Sequence, residues 1–362
     1  MYKYFDQDNY VWDDKEATLK DLKFLINKFL DEKNKSEEKY FLGKEKNIKL
    51  HSSTLDSKSI FACLESMLEG KITLGSGNFE YEKNLSKYFQ VNNAITVNSG
   101  SSANLLAIFG LIESGKLSKN DRVIVPALSW STTVFPLSQA GLVPVFCDQS
   151  EHDFNVNLDQ VEEQAKRDDV KALMLIHTYG LASNMDRVMD ICNKYELTLI
   201  EDTCESMGAM WGGSFCGSFG IVSTFSTYFS HHICTLEGGI LLTDNSSLDQ
   251  IYRSMRSHGW ARGFPKESDI FAKYSNHDPS FLFPHTGFNI RISEPQSRIG
   301  IEQLKKLPSI LDKRIKAGKE YIDRIEKIAE LETYSISPKA RCVFFGLPLL
   351  LPERYDYKKT LY

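Results

Sequence analysis

The chain carries no excess of basic residues: 43 Lys and Arg stand against 48 Asp and Glu, a formal net charge of −5 at pH 7. Neutralising a phosphate backbone needs a basic face, so this balance argues against nucleic acid as a partner. No run approaches the ~18 apolar residues of a membrane span, and the first residues, Met1-Tyr-Lys-Tyr-Phe-Asp6, hold no apolar leader core. A cytoplasmic protein without membrane contact is expected. The seven cysteines, at positions 63, 147, 192, 204, 216, 234 and 342, are odd in number, scattered and without a CxxC pair. Neither a disulfide framework nor a zinc or iron–sulfur cluster is suggested by that spacing. Glycine-rich nucleotide loops are missing too, since no GxGxxG follows the first strand and GxxxxGK[ST] does not occur.

What is present is an ordinary globular composition, 42% hydrophobic and 25% charged over 362 residues, long enough for a large domain and a smaller one. Leu19, Leu22, Ile26, Phe29 and Leu30 recur at helical spacing, predicting an amphipathic helix over 14–34 followed by a solvated Lys/Glu connector to residue 48. A second helix is predicted over 56–69, with Asp56 as N-cap and Gly70 past its end. From residue 94 short apolar runs, at 94–97, 122–126, 143–148, 172–177, 197–202, 221–225 and 240–244, alternate with helical segments at 103–114, 132–140, 158–167 and 184–195. Strands buried on both faces with helical crossovers make an α/β domain around a mainly parallel sheet. Ligands of such sheets bind at the carboxyl ends of the strands. After residue 250 the pattern is helical, with a polar, proline-containing loop near 263–287, and 340–351 reads as a strand.

The notable polar residues fall at those strand ends. Asn98-Ser99-Gly100-Ser101-Ser102-Ala103-Asn104 opens a helix and suits an anion, although serine N-capping alone accounts for it equally well. Trp130, just past the second strand, can stack on a flat heteroaromatic ring or pack in the core. Asp202 closes the fifth strand, where it can hold a protonated pyridine nitrogen, cap a helix or ligate a metal. Last comes the loop Ser226-Thr-Tyr-Phe-Ser-His231-His232-Ile-Cys-Thr-Leu-Glu237-Gly238-Gly239, with a hydroxyl, two imidazoles and a glycine turn. Phosphate donors, a stacking ring, a carboxylate and a loop base, in this order on one sheet, fit pyridoxal phosphate better than any nucleotide.

These motifs, with Pro126-Ala-Leu-Ser-Trp130, Glu201-Asp-Thr-Cys-Glu-Ser-Met-Gly208 and Gly287-Phe-Asn289-Ile-Arg291, resemble the DegT/DnrJ/EryC1/StrS family from about residue 50 onward. The resemblance implies the type I aminotransferase fold, a pyridoxal or pyridoxamine phosphate cofactor and a nucleotide-linked keto-sugar substrate. It implies three parts: an N-terminal helical extension over 1–50, a large cofactor-binding α/β domain over 51–250 and a smaller C-terminal α+β domain over 251–362, shorter than the family's. By the same resemblance Ser101, Ser102 and Ser226 bind the phosphate, Trp130 stacks on the ring, Asp202 pairs with its nitrogen and Glu205 sits near its phenolic oxygen. Asn289 would reach the phosphate of a neighbouring subunit, which places shared active sites at a homodimer interface.

One position departs from the family's aminotransferases. Five residues after the serine at the position of Ser226 they carry the lysine that bonds covalently to the cofactor; here that residue is His231, and the loop contains no lysine. An imidazole cannot form a Schiff base, so the cofactor is expected to be held noncovalently, while histidine can still move protons near neutral pH. The exchange resembles the subgroup of sugar 3-dehydratases that make 3-deoxysugars, with glutamate regenerating the amine form of the cofactor. A [2Fe–2S] subclass needs cysteines soon after the histidine loop, and 245–300 has none, so no iron–sulfur cluster is expected. His232 is given a lesser role, because neighbours in an extended loop face opposite ways. An aminotransferase with an altered base and a noncatalytic binding protein of the same fold are the alternatives.

Overall fold

The structure is a computed structural model that describes residues 15–41, 54–151, 153–264, 268–328, 331 and 334–349. Its strands are β1 Asn93–Val97, β2 Arg122–Pro126, β3 Val143–Cys147, β4 Val170–Ile176, β5 Thr198–Asp202, β6 Met210–Trp211, β7 Ser214–Phe215, β8 Val222–Ser226, β9 Gly239–Thr243 and β10 Ala340–Arg341. Its α-helices are α1 Lys15–Phe41, α2 Ser57–Leu68, α3 Ser76–Phe89, α4 Gly100–Glu113, α5 Ser131–Gln139, α6 Leu158–Ala165, α7 Met185–Lys194, α8 Ser246–Arg256, α9 Asp269–Lys273 and α10 Glu294–Ile325. Among the described residues no helix is long and apolar enough to cross a membrane.

The main sheet has the order β1-β9-β8-β5-β4-β2-β3. Every pair in it is parallel except those made by β9, which runs against both β1 and β8. Strands such as β8 and β9 are buried along their whole length, the signature of a sheet covered on both faces. β9 is reversed because the 227–238 connection from β8 contains no crossover helix, and a direct return to the neighbouring position is antiparallel. Ile95, Leu106, Val125 and Tyr252 belong to the core on one side of the sheet, and Tyr81, Phe89, Leu173, Phe225 and Leu311 to the core on the other.

Register then decides what meets at the strand ends. Gly239 opposes Val97 of β1 on one side and Ser226 of β8 on the other. A Cβ at 239 would stand 2.1 Å from the Ser99 carbonyl oxygen, so only glycine lets the backbone after β1 pass this close. The Glu237-Gly-Gly turn thus admits a neighbouring backbone.

A buried ionic cluster anchors α3 to the sheet. Glu82 takes 2.6 and 2.5 Å bonds from Arg253 and Arg256 of α8, and accepts from Thr96 N–H of β1 at 2.9 Å. Burial raises the Glu82 carboxyl, but Arg256 and then Arg253 outweigh it and hold the group below its ordinary value. At the start of α3, the buried Glu294 of α10 accepts N–H groups from Gly77 at 2.7 Å and Asn78 at 3.2 Å. A carboxylate facing a helix N-terminus is favourable, so α10 is tied to the large sheet through α3.

Several expectations are met closely: α2 is capped by Asp56 through Ser59 N–H, and Gly70 lies just beyond it at φ +70°. Other elements differ. α1 continues to Phe41 because the first part of the Lys/Glu stretch, expected as a connector, is rich in good helix formers; 42–48 lie outside the described residues. In the tail only Ala340–Arg341 pairs as a strand, against β6. Residues 343–346 instead bond to the turn at Tyr179 and Gly180, and 350–351 lie outside the described residues. Arg291 returns to the large sheet through a bridge to Val97, and Ser257 bridges Asn289.

Candidate active site

Asp202 ends β5 and is 5% exposed. Its Oδ2 accepts from Asn104 Nδ2 and Thr133 Oγ1, both at 2.8 Å, and its Oδ1 accepts from Cys204 N–H at 3.1 Å. A carboxylate offers roughly four lone-pair positions, so three donors fix this one and leave room for one more. Among the described residues no three His, Cys, Asp or Glu side chains are grouped to hold a metal.

Next to it, α4 starts where β1 stops. Ser99 caps the helix, its Oγ accepting from Ser102 N–H at 3.0 Å and bonding Ser102 Oγ at 2.9 Å. Ser101 is exposed and donates to Thr132 Oγ1 at 3.1 Å. Between these serines and β8 lies Gly100, where a Cβ would meet Ser226 Cβ at 2.7 Å and Cys204 Sγ at 3.2 Å. Ser101, Ser102 and Ser226 are thereby gathered at the positive end of a 14-residue helix. Hydroxyls at such an end receive a phosphate.

Trp130 occupies the N-cap position of α5 and is 75% exposed. This excludes the core-packing alternative and leaves an indole face available for stacking. Asn289 is exposed, and its Oδ1 accepts from Arg291 Nε at 3.1 Å. The next carbonyl, of Ile290, accepts from Asn98 N–H at 2.9 Å, so Asn289 stands beside the approach to α4 while its side chain turns to Arg291.

The histidine loop is a turn and not the extended segment expected, since His231 N–H donates to the Tyr228 carbonyl at 2.9 Å. His231 is half-buried, its ring 5.1 Å from that of Phe345 and 6.2 Å from that of Tyr228. His232 is fully buried against the same Phe345 at 5.9 Å. Burial first, then Arg314 and His231, push its imidazole down to about 3, which keeps it uncharged. The two neighbours thus differ in burial, through a turn and not through strand alternation.

Glu205 is half-buried, and its Oε2 accepts from Tyr179 N–H at 2.7 Å. Burial, aided by the charge of Asp202, pushes its carboxyl up despite the Tyr179 bond. Tyr179 sits at φ +53°, and its carbonyl accepts from Phe345 N–H at 2.8 Å. The turn is held from below: His177 Nδ1 accepts from Ser183 N–H at 3.1 Å, which leaves its proton on Nε2, 3.0 Å from Glu201. Glu201 in turn receives the N–H groups of Gly217, Phe219 and Gly220.

Residues 53–362 match the DegT/DnrJ/EryC1/StrS aminotransferase family. The chain belongs to that family. Among its relatives, GDP-4-keto-6-deoxy-D-mannose 3-dehydratase of Escherichia coli O55:H7 is 39% identical over 285 residues, 77% of this chain and 73% of the relative. The enzyme of the same name from Yersinia pseudotuberculosis is 40% identical over 312 residues, 85% of this chain and 78% of the relative. A solved structure of a variant GDP-4-keto-6-deoxymannose-3-dehydratase with bound GDP-perosamine superposes with a TM-score of 0.83 at 34% identity, covering 87% of this chain and 82% of the other. The E. coli enzyme with bound hydrated PLP gives 0.82 at 34% identity, with the same coverage of 87% and 82%. The mainly parallel seven-stranded sheet is therefore the aminotransferase-type fold of this DegT/DnrJ/EryC1/StrS family, as the motifs imply.

The residues present fit pyridoxal phosphate. Hydroxyls and a helix N-terminus suit its phosphate, the exposed Trp130 its ring, and the remaining acceptor position of Asp202 its protonated nitrogen. Asn104, Thr133, Tyr179 and Phe345 received no role from the sequence. Asn104 alone carried a signal, as a polar side chain in the otherwise apolar helix Ala103–Ile112.

Proposed function

We propose that the protein is a pyridoxal-phosphate-dependent 3-dehydratase of a nucleotide-linked 4-keto-6-deoxyhexose, with GDP-4-keto-6-deoxymannose, named in its relatives, as the substrate. The observation that carries this reading is His231: an imidazole stands where the family's aminotransferases have their lysine, on a half-buried turn beside an otherwise suitable cofactor site. When bound in its amine form, the cofactor supplies a nitrogen for the C4 ketone and an electron sink that acidifies the neighbouring hydrogen. Ser101, Ser102 and Ser226 bind its phosphate, Trp130 covers one ring face and Asp202 keeps the ring nitrogen protonated. Glu205, whose carboxyl is pushed up by burial, serves the phenolic oxygen in this reading.

With the cofactor bound, His231 would take the acidified proton as a general base, and the sugar would lose its C3 hydroxyl, protonated, as water. Having no amine, His231 does not capture the cofactor and return an amino sugar, so elimination prevails. Glutamate would supply the amine of the cofactor and leave as 2-oxoglutarate, and hydrolysis by water would release the 3-deoxy keto-sugar with ammonia. Asn289 reaches the phosphate of a partner copy, which makes the working unit a cytoplasmic homodimer. His232, buried and uncharged, supports the loop.

The test is absorbance of the purified protein with pyridoxal phosphate and glutamate, then product analysis with GDP-4-keto-6-deoxymannose. A 3-deoxy product with ammonia, lost in His231→Ala, is expected. A 4-amino sugar would overturn the role of His231, and absence of cofactor binding would overturn the enzyme reading.

A further inference from the structure

Four separate elements carry the cofactor residues: Ser101 and Ser102 lie on α4, Trp130 caps α5, Asp202 ends β5 and Ser226 ends β8. One side chain, on the first of these elements, is bonded to groups on the other three. Asn104, 2% exposed, sits one turn into α4; its Nδ2 donates to the Thr132 carbonyl of α5 at 3.2 Å and to Asp202 Oδ2 at 2.8 Å. Its Oδ1 accepts from Thr224 Oγ1 of β8 at 2.5 Å, two residues before Ser226. Both Nδ2 partners are pure acceptors and the Oδ1 partner is a hydroxyl, so the amide has one orientation that satisfies every bond. Thr224 is itself fully buried, and its carbonyl takes Thr203 N–H at 2.9 Å, which closes the network onto the residue after Asp202.

We infer that Asn104 is the positioning residue of this site: it aims the Asp202 carboxylate and sets the spacing between that carboxylate and the phosphate-binding end of α4. The inference rests on the cofactor reading above and goes beyond it by naming a residue that touches neither cofactor nor substrate. A donor on Asp202 holds it as the acceptor for a ring proton. With an acceptor in place of that donor, two carboxyl groups face each other and share a proton, so less negative charge reaches the ring nitrogen.

The test uses the full chain titrated with pyridoxal phosphate, following dissociation constant and the pH midpoint of the bound cofactor's absorption. Asn104→Asp is expected to weaken binding about tenfold or more and to move that midpoint to lower pH by about one unit. The isosteric Thr224→Val, which releases Asn104 Oδ1 and leaves both Nδ2 bonds in place, is expected to shift both in the same direction by less, and serves if Asn104→Asp does not fold. Folded variants with unchanged affinity and midpoint would overturn the inference. Weakened binding with an unmoved midpoint would overturn it as well, since that is the mark of a merely structural residue. If the wild-type chain fails to bind pyridoxal phosphate, the cofactor reading itself falls.

Discussion

The ring of Phe345 lies 5.1 Å from His231 and tilted 43° to it, while its own N–H donates to the Tyr179 carbonyl at 2.8 Å. Because Tyr179 N–H also holds Glu205, a single tail residue joins the imidazole to the carboxyl across the site. Loosening this contact should disturb positioning before it disturbs cofactor binding. Phe345→Ala is expected to lower kcat at least tenfold with cofactor affinity nearly unchanged, and to cost about 1–3 kcal/mol of stability, below the range for a fully buried Phe. Steady-state kinetics with a cofactor titration checks both.

For His231, the substitutions separate base from lid. His231→Asn keeps a polar side chain of similar reach without a proton-accepting ring nitrogen. Turnover should fall by about 10²–10⁴, the usual weight of a general base, with the cofactor dissociation constant within a few-fold of wild type. His231→Lys places an amine on the turn. A cofactor link that borohydride reduction makes permanent, visible as a mass increase, is expected together with loss of the 3-deoxy product.

The buried His232 makes stability depend on acid. Its folded value of about 3 lies below the ordinary 6.5, so above pH ~6.5 both states are uncharged and the contribution is full. As pH falls from 6.5 towards 3 the unfolded chain takes up a proton that the folded chain refuses, and stability is lost at up to ~1.4 kcal/mol per pH unit. Melting temperatures between pH 7.5 and 5 should therefore decline more steeply in wild type than in His232→Leu. Equal slopes would show that His232 is not kept neutral by its surroundings.

Glycine at position 100 is required by distance. Its substituted Cβ would meet Ser226 Cβ at 2.7 Å, and those two residues belong to different elements of the phosphate site. Gly100→Ala is expected to leave the far-UV spectrum native while weakening pyridoxal phosphate binding at least tenfold. Gly239→Ala, whose Cβ would face the Ser99 carbonyl at 2.1 Å, has backbone on the other side and cannot be relieved by a rotamer. Its melting temperature should drop by several degrees, the larger structural loss of the two.

The residues themselves determined whatever depends on near neighbours. Alternating apolar runs announced the sheet, Asp56 and Gly70 bounded α2, and the strand ends exposed Ser101, Asp202 and Ser226 as candidates, because capping and strand burial act over a few residues. His231 was legible through the family resemblance, against which the missing lysine of one loop stands out. Tertiary structure decided the rest. Asn104 and Asp202 are 98 positions apart in the chain, and Phe345 meets His231 only because the tail bonds to a left-handed turn at Tyr179. Such pairings have no local period or cap to betray them. They arise from sheet register, which sets Val97 and Ser226 on either side of Gly239, and from the close packing that this register permits.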